Sequence, residues 1–357
     1  MKTFSLTHPA LLAPALMAFA PLAVEQELAF APAEEASITT SITSEVEFTM
    51  DDMAIMVDGQ DMAAMLGAFE MSMTSESNIN ITDTYYGVAD GRPVKLKRTF
   101  NSLSTDTSVD IAMEMGGTSE DIPASSELEG ATVIYTWNED NGNYDVAYED
   151  EGGDEALLED LIEDLSMRSL LPSGAVSVGD SWTVDPETMM ELAMQAQSLK
   201  IVPEDMEGVD MELMDQFMND DFMDTMKDMY EGAMTCTLKG MREEDGMQFA
   251  DIEVVVEVTA AADLSEMIGN VIATIAENEG EEMPPIDFAA ADLNADLEGT
   301  GLLVWNTSTG LVHSMELSAD FSFAFDLAAS LEEDGEEHSI DASIEMSGTM
   351  VSGVEVE

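Results

Sequence analysis

Two histidines beyond the N-terminal segment, one cysteine and many carboxylates are the groups of this 357-residue chain with chemical potential. His313 and His338 sit in separate predicted strands, and each reads as solvent-facing rather than catalytic. Cys236, in Met234-Thr-Cys-Thr-Leu238, alternates with polar residues and reads as a small buried hydrophobe. There is no Gly-x-Ser-x-Gly elbow, no His-Glu-x-x-His and no phosphate loop. Acid pairs occur throughout, so a glycosidase-type carboxylate pair is neither excluded nor located. Asn138–Asp145 has the look of a calcium loop. With Gly142 in the sixth position, however, the first and twelfth would be Trp137 and Tyr148, which offer no carboxylate, so a hairpin turn is the better reading. No catalytic residue, metal site or cofactor is assigned.

Methionine raises a different question. In the stretch Met211–Tyr230, at roughly 3.6 residues per turn, Met211, Met214, Met218, Phe222, Met226 and Met229 share one helical stripe, with Asp220, Asp224 and Asp228 opposite. Thioethers suit copper(I), but Phe222 interrupts the row and no histidine lies nearby. Methionine also recurs at Met50, Met53, Met56, Met62, Met65, Met71 and Met73, so a chain-wide habit accounts for the cluster. The stripe reads as core, or as an adaptable ligand-facing wall, since unbranched polarizable side chains repack around varied partners.

These residues belong to a chain with 76 acidic and 10 basic residues, net −66, and 45% hydrophobic content. Enough apolar sequence is present for a core, and the charge repels nucleic acid and anionic lipid headgroups. It would attract loosely held divalent cations. The start carries Lys2 and then an apolar run from Pro9 to Val24, as a secretory signal peptide does. Pro9, Pro14 and Pro21 argue against a stable membrane helix, and no other run is long enough to span a bilayer. Cleavage fits after Ala20 or after Ala33. No cysteine stands near either site to carry a lipid, and a lone Cys236 leaves no internal disulfide.

The elements that would position a site are mostly strands. Strict alternation runs through Ile38–Met50, Val109–Met115, Ile252–Val258, Leu317–Leu327 and Ile340–Met346. Asp90-Gly91, Asn141-Gly142, Asp245-Gly246, Asp334-Gly335 and Thr309-Gly310 supply the positive φ angles of tight turns. Helical spacing marks Asp154–Leu165, with Asp154 as N-cap, and also Pro186–Leu199, Met211–Tyr230 and Leu264–Ala276. After a signal at 1–33, strands are expected at 34–150, a helix-rich segment at 151–230, and strands with one helix at 231–357, all in one continuous domain. The basic island Arg92-Pro-Val-Lys-Leu-Lys-Arg98 places Lys95 and Lys97 on one strand face, suited to pairing with carboxylates of a neighbouring strand.

The most specific segment is Leu171-Pro-Ser-Gly-Ala-Val-Ser-Val-Gly-Asp-Ser-Trp-Thr-Val184. Gly179-Asp180 makes a turn there, with Asp180 placed to cap nearby amides, and Trp182 anchors the next strand. The segment resembles the Pro-x-x-x-Val-x-Val-Gly-Asp-Ser-Trp signature of a group of bacterial envelope proteins without an assigned reaction. Gly299–Gly310 resembles a later Gly-x-Gly strand and Thr-Gly turn of the same group. That group is similar in pattern to the periplasmic lipoprotein-carrier fold, and the resemblance implies architecture and compartment only.

The expectation is an α+β protein: a large, curved, mostly antiparallel half-barrel-like sheet with helices packed on its concave apolar face. Its leading function is that of an exported, non-enzymatic, periplasmic or extracellular protein, not lipid-anchored, that binds or carries an apolar small molecule or lipid. The alternatives are an acidic structural or cation-buffering protein without a pocket and, third, a carboxylate-based hydrolase.

Overall fold

The computed structural model describes residues 25–356 apart from 63–68, 114–115, 160, 185–187, 189–197, 204–228, 270–271, 273–285 and 334–335. The apolar run of the signal segment up to Val24, most of the expected helices at 186–199 and 211–230, and the Asp334-Gly335 turn lie outside the described residues.

The alternating segments become strands of unusual length. They are β1 (Ser37–Val57), β2 (Gln60–Asp61), β3 (Phe69–Tyr85), β4 (Val88–Ala89), β5 (Arg92–Pro93), β6 (Lys95–Met113), β7 (Gly116–Ser125), β8 (Thr132–Asn138), β9 (Asn143–Tyr148), β10 (Ser181–Val184), β11 (Val202–Pro203), β12 (Tyr230–Glu244), β13 (Met247–Asp263), β14 (Ile286–Asn306), β15 (Leu311–Glu333) and β16 (Glu336–Val356). Fourteen of them form one antiparallel sheet, ordered β10-β12-β13-β14-β15-β16-β1-β3-β6-β7-β11, with β8 and β9 joined beside the first half of β6 and β2 beside the end of β1. The N-terminal and C-terminal strand sets therefore share one sheet, joined where Thr40 of β1 faces Val356 of β16. Turns with positive φ, at Asp90-Gly91 and Asp245-Gly246, close two of the hairpins.

The strands have a base and a tip. The base holds the turns after Tyr85, Glu244 and Asn306; the tip holds the connections after Val57, Asp263 and Glu333. At the base one face of the sheet is fully covered. Phe100, Leu103, Cys236, Leu238, Ile252, Val254, Leu303 and Trp305 form one buried cluster with Leu28, Phe30, Leu128, Leu161, Leu165, Leu170 and Leu199 from the connecting segments. The other face is exposed and acidic. Glu45, Glu76 and Asp106 stand directly opposite one another across β1, β3 and β6, as do Glu257, Glu298 and Asp320 across β13, β14 and β15.

The expected α+β class does not hold: the described residues are nearly all-β. Asp154 does cap, accepting from the Ala156 amide at 3.0 Å, but it opens only a 3₁₀ turn over Glu155–Leu158. The chain turns extended at Glu159, with ψ 136°, and beyond it the Ile162 and Glu163 carbonyls accept from Arg98, at 3.0 and 2.8 Å. The leucine stripe still goes inside, Leu161 and Leu165 being buried, but as irregular chain. Of Leu264–Ala276, residues 265–269 form a short helix. Among the described residues the base is therefore filled by the β8–β9 hairpin, 3₁₀ turns and extended segments.

Arg98 is fully buried and makes paired 2.8 Å bonds to both carboxylate oxygens of Asp83. Burial disfavours its charge, and the adjacent Asp83 carboxylate more than offsets that, leaving the guanidinium pKa raised. Arg168 pairs with Glu163 and Asp164 at the same end. Burial pushes the Glu163 carboxyl upward against the pull of Arg168.

Candidate functional site

Towards the tip the apolar alternation continues, but among the described residues the covering segments of the base do not. Two rows of inward residues cross six adjacent strands there. One runs Phe48–Gly348–Phe321–Leu297–Val258–Gly232, the other Met50–Met346–Phe323–Ala295–Ala260–Tyr230. Phe48, Met346, Phe321, Phe323 and Leu297 are only half-buried. A groove of about 360 Å³ lies over these rows, lined by Phe48, Tyr230, Val258, Ala260, Ala295, Leu297, Phe321, Phe323 and Met346, with Asp296 and Ser322 at its margin.

Phe48 and Tyr230 sit on strands five steps apart, roughly 24 Å along a flat sheet. Both line one small groove, so the sheet curls and the apolar face is its inner face. The void has a compositional cause. Ala295 and Ala260 stand side by side between Phe323 and Tyr230, and small residues opposite rings leave space unfilled.

Gly348 also admits a ring. A Cβ there would stand 2.5 Å from Cζ of Phe321, 2.8 Å from Cβ of Phe48 and 2.2 Å from the Glu47 carbonyl oxygen. Phe321 therefore lies over the glycine and fills the gap in the pleat.

The expected ligand wall is placed only in part. Met211, Met214, Met218, Phe222 and Met226 lie outside the described residues, whereas Met229 is buried immediately before Tyr230 of the groove. Phe321 and Phe323 belong to an alternation plain in the sequence. That they share a groove with Phe48, Met346 and Tyr230 depends on a strand order and register that no local pattern encodes.

Gly179, Asp180 and Trp182 sit away from the groove, at the base. Gly179 has φ +97° and donates to the Leu238 carbonyl at 2.7 Å; the Asp180 carboxylate accepts from the Ser177 amide at 2.8 Å. Trp182 donates its indole N–H to the Leu170 carbonyl at 2.8 Å, and β10 pairs it opposite Cys236. Cys236 is completely buried, which pushes its thiol up to about 12 and leaves it without thiolate reactivity near neutral pH. In the basic island, Lys97 bonds Glu149 at 2.7 Å and Lys95 lies over the Tyr86 ring. His338 bonds Asp58 at 2.8 Å, at the tip. Among the described residues no group of three or more His, Cys, Asp or Glu is arranged to hold a metal ion.

No family model matches the chain, and no curated protein matches it. The resemblance to the envelope-protein group and its lipoprotein-carrier-like pattern, drawn from Leu171–Val184 and Gly299–Gly310, is thereby corrected: two short motifs are a turn with an anchored tryptophan and a hairpin, which many β proteins need. Two solved structures align weakly. One is the outer membrane protein OprG from Pseudomonas aeruginosa, at 8% identity and TM-score 0.17, over 90% of this chain and 97% of that one. The other is an outer membrane channel from Pseudomonas putida F1, at 6% identity and TM-score 0.18, over 92% and 98%. Scores this low carry no argument about relationship. No helix among the described residues is long and apolar enough to cross a membrane. A lipid-spanning barrel wears its apolar band outside, whereas here the apolar rows face inward and exposed carboxylates such as Glu45, Glu298 and Asp320 face outward.

Proposed function

We propose that this is an exported, non-enzymatic binding protein that holds an apolar small molecule on the inner face of its curled sheet. The observation that carries the reading is the groove over Phe48, Phe321, Phe323 and Met346. It is an apolar surface continuous with the core, left half-exposed in a chain that otherwise covers its outer face with carboxylates. Binding sites of this kind are concave and largely apolar, with few polar groups, and among the inward residues lining this groove Tyr230 alone carries one. The apolar N-terminal run after Lys2 supports export, and the outward carboxylates favour an aqueous compartment such as the periplasm or the cell exterior.

The test is fluorescence of the neutral dye N-phenyl-1-naphthylamine with the mature chain. The expected result is a saturable, blue-shifted enhancement that Phe321→Asp abolishes and Ala295→Leu, which fills the groove, weakens at least tenfold. A wild-type protein that gives no enhancement sinks the reading. Large stabilisation by calcium or salt in that case would favour an acidic structural role instead.

A further inference from the structure

Every lysine and arginine among the described residues lies away from the groove. Arg92, Lys95, Lys97 and Arg98 sit at the base of β5 and β6, Arg168 in the turn beneath them, and Lys200 beside β11 at the opposite edge of the sheet. Lys239 and Arg242 share β12 with Tyr230 but stand at least nine residues along it, roughly 30 Å away. The strands β1, β3, β13, β14, β15 and β16 contain no lysine or arginine at all.

Five of those strands, β1 and β13 to β16, carry most of the groove. An anionic headgroup docked there would find no lysine or arginine among the described residues of these strands, and would face the field of the carboxylates on the outer side of the same single-layer sheet: Asp296, Glu298, Asp320 and Glu345. A cation meets the reverse. The rings of Phe48, Phe321, Phe323 and Tyr230 line the groove. Aromatic faces attract ammonium groups through their quadrupoles, most strongly where water is excluded.

We infer that the ligand of this groove is a cationic amphiphile, an amine or quaternary ammonium joined to an apolar body. The inference rests on the groove being a ligand site, and goes further by fixing the charge the site accepts.

Calorimetric titration of the mature chain in 0.5 M NaCl tests it, with decyltrimethylammonium, decyl glucoside and decanoate, each below its micelle concentration. At that ionic strength exposed charges are screened beyond about 5 Å, so loose association with the outer face is suppressed. The ammonium is expected to bind at least tenfold more tightly than the glucoside, and decanoate not measurably. In a Phe321→Leu, Phe323→Leu variant the glucoside should still bind while the ammonium advantage falls to within twofold. Equal affinity for ammonium and glucoside overturns the inference and leaves the groove standing as a neutral site. An ammonium advantage that the double leucine variant retains also overturns it, by assigning that advantage to the carboxylate surface. If none of the three ligands nor the neutral dye binds, the groove reading falls with it.

Discussion

Arg98 shows how one side chain redirects the chain around it. Its paired bonds to Asp83 satisfy the charge, and its remaining donors draw in the Ile162 and Glu163 carbonyls. Removing one partner of a buried pair strands the other charge, which costs about 3–5 kcal/mol. Arg98→Met should therefore lower unfolding stability in urea by about that amount, and a double Arg98→Met, Asp83→Leu variant should recover most of it. At the opposite end, Asp58 accepts from the Ser339 amide at 3.0 Å and bonds the His338 ring. The His338 hydrogen bond first, and the Ser339 amide second, hold the Asp58 carboxyl below its usual value. A lowered folded-state pKa means that this contribution is complete above the unfolded carboxylate value of about 4 and is lost as pH falls through the folded one. The stability gap between wild type and Asp58→Asn, followed in urea across pH, should be present at neutral pH and close towards strong acid. Gly348 is the third such residue. Gly348→Ala drives a methyl into the Glu47 carbonyl and the Phe321 ring, and should cost about 1–3 kcal/mol while also disturbing dye binding.

At the scale of elements, the strands were legible, whereas the helical spacing of Asp154–Leu165 did not reveal its backbone, a 3₁₀ turn followed by extended chain. Alternation at Leu317–Leu327 or Ile252–Val258 is a local signal, and it survives because each strand needs one covered face. The leucines of Asp154–Leu165 have helical spacing and Leu161 and Leu165 do go inside, but the chain leaves helical geometry at Glu159, and the Ile162 carbonyl bonds Arg98, 64 residues away, a partner that no local pattern names. The groove was half legible: Phe321 and Phe323 stand out in sequence, while their meeting with Phe48 requires the β1–β16 register. The segment before β1 carries a prediction of its own. Leu28 and Phe30 are buried, Gln26 bridges Val176 and the Ala31 amide donates to the Gly310 carbonyl. Cleavage after Ala33 would strip these contacts from the core, whereas cleavage after Ala20 keeps them. The mature protein, secreted from a bacterial host and examined by intact mass, should begin at Pro21. A start at Glu34 would count against the packing role of Leu28 and Phe30.

For the whole molecule, the outer face sets the response to solvent. Glu298 stands directly between Glu257 and Asp320, and like charges facing each other across strands are destabilising. Glu298→Gln should raise the melting temperature in low salt, with relief of about 0.5 kcal/mol per pair, and the gain should shrink in molar salt as screening removes the repulsion. A gain of the same size at both salt concentrations would mean that the ladder is not what limits stability.

The pairing of β1 with β16 has a consequence in time. Ser37–Val57 is the first long strand made and Glu336–Val356 the last, yet they lie side by side in the middle of the sheet and join its two halves. A chain emerging N-terminus first can zip β3 onto β1, and later β15 onto β14, but the two half-sheets have no seam until the final strand arrives. Contacts of such long sequence separation slow folding and leave strand edges open meanwhile. Loss of the last twenty or so residues would thus remove the hinge-pin of the whole sheet, leaving two half-sheets, each with an unpaired central edge.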